Sequence, residues 1–218
     1  MVTRIVLVRH GVTDWNVGGI FQGQADIELN AEGRSQAIEA APMIAHFSPT
    51  AIYSSPLKRA RVTANAVADL TGLPVACDRR FSEVNVGTWA GLTYAEVMEL
   101  DPEFDAAVRR CEDYRRSLTG ETLTECGDRV AGALRELGER HHGENFVVTS
   151  HGMAIRHGIS SLFGWDFSAA NALGVMGNCA VTTVVQNRGI WRLESYNRQH
   201  LPNDGQIPGR VKSLNLGG

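Results

Sequence analysis

Apolar residues run without interruption from Ile5 to Val8 and from Phe146 to Val148. Short unbroken runs of this kind predict strands covered on both faces, as in a parallel sheet between helical layers. We read strands over 4–8 and 145–149, with shorter ones over 51–54 and 73–77. Two final runs, 179–186 and 190–196, flank Asn187, Arg188 and Gly189 and predict a hairpin. Between these strands the apolar spacing lengthens to that of helices. One spans 30–47, with Asn30 as N-cap and Ile38, Ala41 and Ala45 on one face. Another opens at Pro56 and runs to Leu70 before Gly72 stops it, and a third covers 154–163. The order predicts an α/β fold with a mostly parallel central sheet and helices on both faces. The more polar middle, with helices over 94–100, 102–117 and 122–142, predicts a helical insertion or cap near 93–142. From His200 onward Pro, Gly and Asn dominate, so 1–199 reads as a single domain followed by an irregular tail over 200–218.

Composition narrows the function classes. The chain has 218 residues, 43% apolar and 21% charged, with a formal net charge of -3, which fits one soluble domain with a sizeable core. Basic residues are dispersed, so no nucleic-acid partner is expected. No segment approaches the roughly 18 apolar residues of a membrane span, and Met1 leads directly into a strand, so no membrane partner and a cytoplasmic location are expected. Cys77, Cys111, Cys126 and Cys179 are scattered without a CxxC pair, which predicts reduced thiols. The histidine spacing offers no metal-ligand pattern, so no metal site is expected.

In open α/β sheets ligands sit beyond the carboxyl ends of the parallel strands. The residues there form a set. The first strand delivers Arg9, His10 and Gly11; the second delivers Ser54, Ser55 and Pro56, with Arg59 one turn onward; the strand near Val147 delivers Ser150, His151 and Gly152. Arg9 and Arg59 offer planar donor forks to a phosphoryl group, and neighbouring cations keep a central imidazole neutral and nucleophilic. Gly11 and Gly152 would let backbone approach the ligand. Thr13 and Asn16 would add hydrogen bonds, and Met153 would shape the pocket. Glu83, in a loop flanked by Gly87 and Gly91, is the candidate acid.

The blocks LVRHGVTDWN, FQGQADIELNAEGRSQA, YSSPLKRARVTA, SEVNVGTWAGLTYAEV, GETLTECGDRV and VVTSHGMAIR, in this order, resemble the histidine phosphatase superfamily, phosphoglycerate mutase-like branch. RHG alone is weak; the ordered set is specific. The resemblance implies that His10 is phosphorylated, that Arg9, Arg59 and His151 complete a phosphate pocket, and that Glu83 is the proton donor, with no metal or other cofactor. It also implies that Asn16, Gln22 and Gly23 line the pocket and that the partner is a small phosphorylated substrate. Family members are often homodimers, and the terminal hairpin and tail offer surfaces for such a contact.

Other readings compete. Trp89 and Tyr94 read as packing residues. The helix over 102–117 puts Phe104, Val108, Cys111 and Tyr114 near one face and Arg109, Arg110 and Arg116 outside it, so the arginines read as solvated. Phosphoglycerate mutases of this family carry an arginine pair at a similar distance beyond their acid, which would give Arg109 and Arg110 a substrate carboxylate to meet. The mutase itself is the alternative activity. Against it, Val84, Asn85 and Val86 follow Glu83 where the mutases have an arginine and an aromatic stretch, and only a few residues separate Arg116 from Gly120 where they have a long insertion. A phosphatase is therefore expected, and a non-catalytic phospho-ligand binder is the third reading. The stretch ALGVMGNCAVTTV with WRLESYN is similar to actinobacterial members that act on a sugar-linked phosphoglycerate, which leaves sugar phosphates, phosphoglycerates and nucleotide-like phosphates open.

Overall fold

A computed structural model describes residues 1–199 and shows why the first apolar run is unbroken. In β1 (Val2–Arg9), Ile5 and Leu7 enter one core while Val6 and Val8 enter the other. The same division holds in β4 (Asn145–Ser150), where Phe146 and Val148 face the first core and Val147 the second. Successive strand residues point to opposite faces, so a strand buried on both sides has no polar positions to offer.

The remaining elements, in order, are α1 (Asp14–Val17), α2 (Ala31–Ala45), β2 (Ala51–Ser54), α3 (Lys58–Thr71), β3 (Val75–Cys77), α4 (Tyr94–Leu100), α5 (Pro102–Arg109) and α6 (Leu123–Arg140). After β4 come α7 (Gly152–Phe163), α8 (Phe167–Ala172), β5 (Val181–Asn187) and β6 (Ile190–Arg198). The strands form one six-stranded sheet in the order β3-β2-β4-β1-β5-β6. β3, β2, β4 and β1 are mutually parallel, and β5 and β6 add antiparallel at the β1 side. Residues of α2 and α3 cover one face and residues of α6 and α7 the other. The expected α/β architecture is therefore present. The tail over 200–218 lies outside the described residues. Among the described residues no helix is long and apolar enough to cross a membrane.

Several local expectations need correction. In α2 the buried positions are Gly33, Ala37, Ala40, Ala41, Met43 and Ile44, and Ile38 is 68% exposed. The small residues are turned inward because α3 presents its own small residues, Ala60 and Ala64, on its buried face, and small facing side chains let helix backbones approach closely. The helix expected to open at Pro56 is α3, and it begins at Lys58: Asp26, remote in sequence, accepts from the Lys58 N–H at 2.7 Å and caps it. Gly72 ends it in the left-handed conformation, as its position predicts.

The helix expected over 102–117 stops at Arg109. Cys111 turns the chain with φ 60, and the carboxylate of Asp113 then accepts from Leu123 and Thr124 N–H at 2.9 and 2.8 Å, capping α6. The chain reversal carries Arg116 inward, not outward. Nor does α6 belong to a cap. Its Val130, Leu134 and Leu137 pack in the same core as Ile5 and Leu7 of the sheet, so the cover over the strand ends is made by the shorter segment before it. There Phe104 packs at a tilt against Trp89, with ring centroids 4.8 Å apart.

Candidate active site

The carboxyl ends of β1, β2 and β4 meet at the mouth of a cavity of about 580 Å³. Arg9, His10, Asn16, Gln22, Gly23, Arg59, Glu83 and Met153 line it. Thr13, His151 and Gly152 do not; Thr13 and His151 are fully buried behind the wall, and Gly152 is half-buried.

His10 emerges where β1 ends because its backbone N–H donates to Ser150 of the neighbouring parallel strand at 3.0 Å. Its Nδ1 lies 2.6 Å from the Gly11 carbonyl oxygen. A carbonyl only accepts, so Nδ1 carries the proton and Nε2 presents a lone pair. Burial pushes the imidazole well below its ordinary pKa, and the charges of Arg59 and Arg9 push it further. His10 is thus neutral at neutral pH, with its free nitrogen beside two cations.

Arg59 is fully buried, and each arm of its guanidinium is held. Nε donates to His151 Nδ1 at 3.2 Å, and the two terminal nitrogens donate to Ala25 and Gly23 carbonyls, each at 2.7 Å. Burial lowers its pKa to about 10, which leaves it charged. Arg9 donates to the Met176 carbonyl, while its Nε is buried without a partner among the described residues. Buried donors normally find acceptors, and an anion in the cavity would supply one.

His151 is the N-cap residue of α7 and is wholly buried. Because its Nδ1 accepts from Arg59, its Nε2 carries the proton and donates to Ser55 Oγ at 2.8 Å. Burial and Arg59 keep it neutral. Its ring packs 5.1 Å from that of His10. It therefore holds Arg59 and His10 in place and does not face the cavity.

Thr13 and Asn16 form a reciprocal cap at the start of α1, each side chain bonding the other's backbone at 3.1 Å. Asn178 donates to the Asn16 side-chain oxygen at 3.5 Å and to the His10 carbonyl at 3.0 Å. With that oxygen engaged, the Asn16 NH2 group is the part left to donate into the cavity. Gln22 is 8% exposed, and its Oε1 has no partner among the described residues.

A Cβ on Gly11 would lie 2.3 Å from the Gly33 carbonyl oxygen, so the glycine permits close contact with α2. A Cβ on Gly152 would rest 3.5 Å from Arg9 Nε, an ordinary contact.

Glu83 reaches the wall from the loop after β3. Its Oε1 accepts from Val84 and Ala154 N–H at 2.9 Å each, and Oε2 from Met153 N–H at 3.3 Å. The first turn of α7 thus anchors it. Arg129 fixes the loop itself, donating to the carbonyls of Arg80, Ser82 and Glu83 while paired with Glu121 at 2.8 Å.

Arg109 and Arg110 stay outside, bound to Asp105 and to Glu103 and Glu112. Two other arginines line the cavity instead, Arg116 and Arg156. Sequence reading missed both, along with Arg129 and Asn178. Only Arg156 left a signal, as the one Arg, Lys, Asp or Glu on helix α7.

Residues 5–199 match the family model of the histidine phosphatase superfamily (branch 1), and the chain belongs to that family. It is 36% identical over 187 residues to the glucosyl-3-phosphoglycerate phosphatase of Mycolicibacterium vanbaalenii, covering 82% of each chain. To phosphoserine phosphatase 1 of Hydrogenobacter thermophilus it is 34% identical over 186 residues, covering 78% of this chain and 84% of that one. The solved structure of a mycobacterial glucosyl-3-phosphoglycerate phosphatase in complex with VO3 aligns with a TM-score of 0.82 at 35% identity, over 89% of this chain and 98% of that one.

Proposed function

We propose that this protein is a phosphatase that hydrolyses the monoester of a small phosphorylated metabolite through a phosphohistidine at His10. The observation that carries the reading is the His10 tautomer: Nδ1 is committed to the Gly11 carbonyl, leaving Nε2 as a neutral nucleophile between Arg9 and Arg59. The names of the two relatives described above, both phosphatases, support the same reaction.

In the first step Nε2 attacks phosphorus, the bond from phosphorus to the alcohol oxygen breaks, and Glu83 gives its proton to the departing alkoxide. In the second step water attacks the phosphohistidine, Glu83 takes the proton, and phosphate leaves with Nε2 restored. Arg9 and Arg59 hold the equatorial oxygens in both steps, where positioning and electrostatics supply most of the catalysis. Asn16 donates from α1. His151 acts through Arg59 and His10 as a positioning residue. The link from Arg116 to Gly120 is a tight turn, in which the Arg116 carbonyl leaves no room for a Cβ at Gly120, so no long segment covers the cavity there and water has access to the phosphoenzyme.

Turnover of p-nitrophenyl phosphate and its loss in His10→Ala test the reading. The protein is expected to release phosphate from 3-phosphoglycerate faster than it forms 2-phosphoglycerate, with or without 2,3-bisphosphoglycerate. Isomerisation outpacing release would make it a mutase, and absence of turnover on every phosphomonoester would leave it a binder.

A further inference from the structure

The cavity is larger than a phosphoryl group on a three-carbon acid requires. At about 580 Å³ it falls among sites that enclose drug-sized ligands. Its lining also changes character. Away from the strand ends the wall is built from Phe21, Val86, Phe104, Leu123, Met153 and Phe167. A short polar substrate would leave most of that surface facing water.

Set in the same wall are Arg116 and Arg156, 7% and 9% exposed. Arg116 lies over the Phe104 ring, 5.0 Å from its centroid, and donates to the Tyr114 carbonyl. Arg156 donates to the Ala170 carbonyl at 3.0 Å and to the Asn171 side chain. Neither forms an ion pair among the described residues, whereas Arg4 and Arg129, also partly buried, are paired with Glu194 and Glu121. Asp113 lies near Arg116, but its carboxylate caps α6. Glu112 is on the wall, yet Arg110 holds both its oxygens at 2.9 Å. Burial lowers the pKa of both arginines. Asp113 still acts on Arg116 at a distance, yet a buried guanidinium with no carboxylate bonded to it is costly, and an anionic ligand group offsets that cost.

We propose that the alcohol part of the substrate carries an apolar or aromatic body and a carboxylate, the body packing on Phe21, Phe104 and Phe167 and the carboxylate pairing with Arg116 and Arg156. This inference rests on the phosphatase reading of the same cavity and names its substrate class.

Three phosphomonoesters with alkyl leaving groups test it: the phosphate of 4-(hydroxymethyl)benzoate, 4-methylbenzyl phosphate and 3-phosphoglycerate. The benzoate ester is expected to exceed 4-methylbenzyl phosphate in kcat/KM by about tenfold or more, chiefly through KM, and to exceed 3-phosphoglycerate as well. In Arg156→Gln the ratio of the two benzyl esters should fall toward one, and in Arg156→Lys it should recover in part. A wild-type ratio near one, or equal losses on both esters in Arg156→Gln, would overturn the carboxylate contact. A higher kcat/KM for 3-phosphoglycerate would overturn the apolar body. Hydrolysis of 4-methylbenzyl phosphate, abolished by His10→Ala, reports the phosphatase reading alone. If it is absent that reading fails, and if it is present without a carboxylate preference only the substrate class fails.

Discussion

The Nε–H of Arg59 donates to Nδ1 of His151 at 3.2 Å, so one guanidinium fixes the tautomer of the second buried histidine while its other arms hold the Gly23 and Ala25 carbonyls. A lysine keeps the charge but carries all its N–H donors on one nitrogen, which cannot reach His151, Ala25 and Gly23 as the three separate guanidinium nitrogens do. Arg59→Lys is therefore expected to lower kcat/KM by about 10²-fold or more, measured with p-nitrophenyl phosphate. A loss under threefold would mean that charge alone is sufficient at this position.

Glu83 faces the cavity with its carboxylate anchored by Val84, Met153 and Ala154 N–H groups. If it protonates the leaving alkoxide, Glu83→Gln should slow alkyl phosphates by about 10²-fold and p-nitrophenyl phosphate much less, because a nitrophenolate departs without a proton. Equal losses on the two substrates would remove Glu83 from the acid role.

Stability should fall on the acid side of neutrality. His10, His151 and His157 are buried, and burial, aided by neighbouring arginines, lowers the pKa of each, that of His157 to about 4. In the unfolded chain the same imidazoles take up protons at about pH 6.5. Below that value the unfolded state binds more protons than the folded one, so the stabilisation is whole above about pH 7 and declines as pH falls. The slope is up to about 1.4 kcal/mol per pH unit for each histidine. Urea unfolding at about pH 7, 6 and 5 reads it, and His157→Leu should remove one proton from the slope. A flat profile over that range would contradict the neutral assignment of these rings.

Gly33 tests the packing that aims the His10 loop. A Cβ there would lie 2.1 Å from the Val12 carbonyl oxygen, and its nearest neighbours are all Val12 backbone atoms, with no side chain to give way. Gly33→Ala should cost roughly 2–4 kcal/mol of stability and lower kcat, because the segment from Gly11 to Thr13 must move. Gly132→Ala, where a Cβ meets nothing, is the control, and its melting temperature should not fall. Equal behaviour of the two variants would show that the loop is placed by something else.

Much of this protein follows from its sequence. Ile5–Val8 and Phe146–Val148 had to be strands buried on both faces, and parallel strands bring their carboxyl ends together, so Arg9, His10, Ser55 and His151 had to meet. Local signals also held: Asn30 caps α2 through its side chain and Gly72 ends α3 in the left-handed conformation. The tertiary structure alone decided which face of α2 turns inward, that Asp26 starts α3, and that Gly11 serves the contact with Gly33. It also exchanged the roles of the arginines. Arg109 and Arg110 find carboxylates a few residues away, at Asp105, Glu103 and Glu112, and stay in solvent, while Arg116 and Arg156 are carried into the cavity by a chain reversal at Cys111 and by the docking of α8. Spacing along a chain reports which residues share an element. Whether a side chain meets water, a counter-charge or a ligand depends on contacts between elements distant in sequence, and those form only when the sheet and its helices pack.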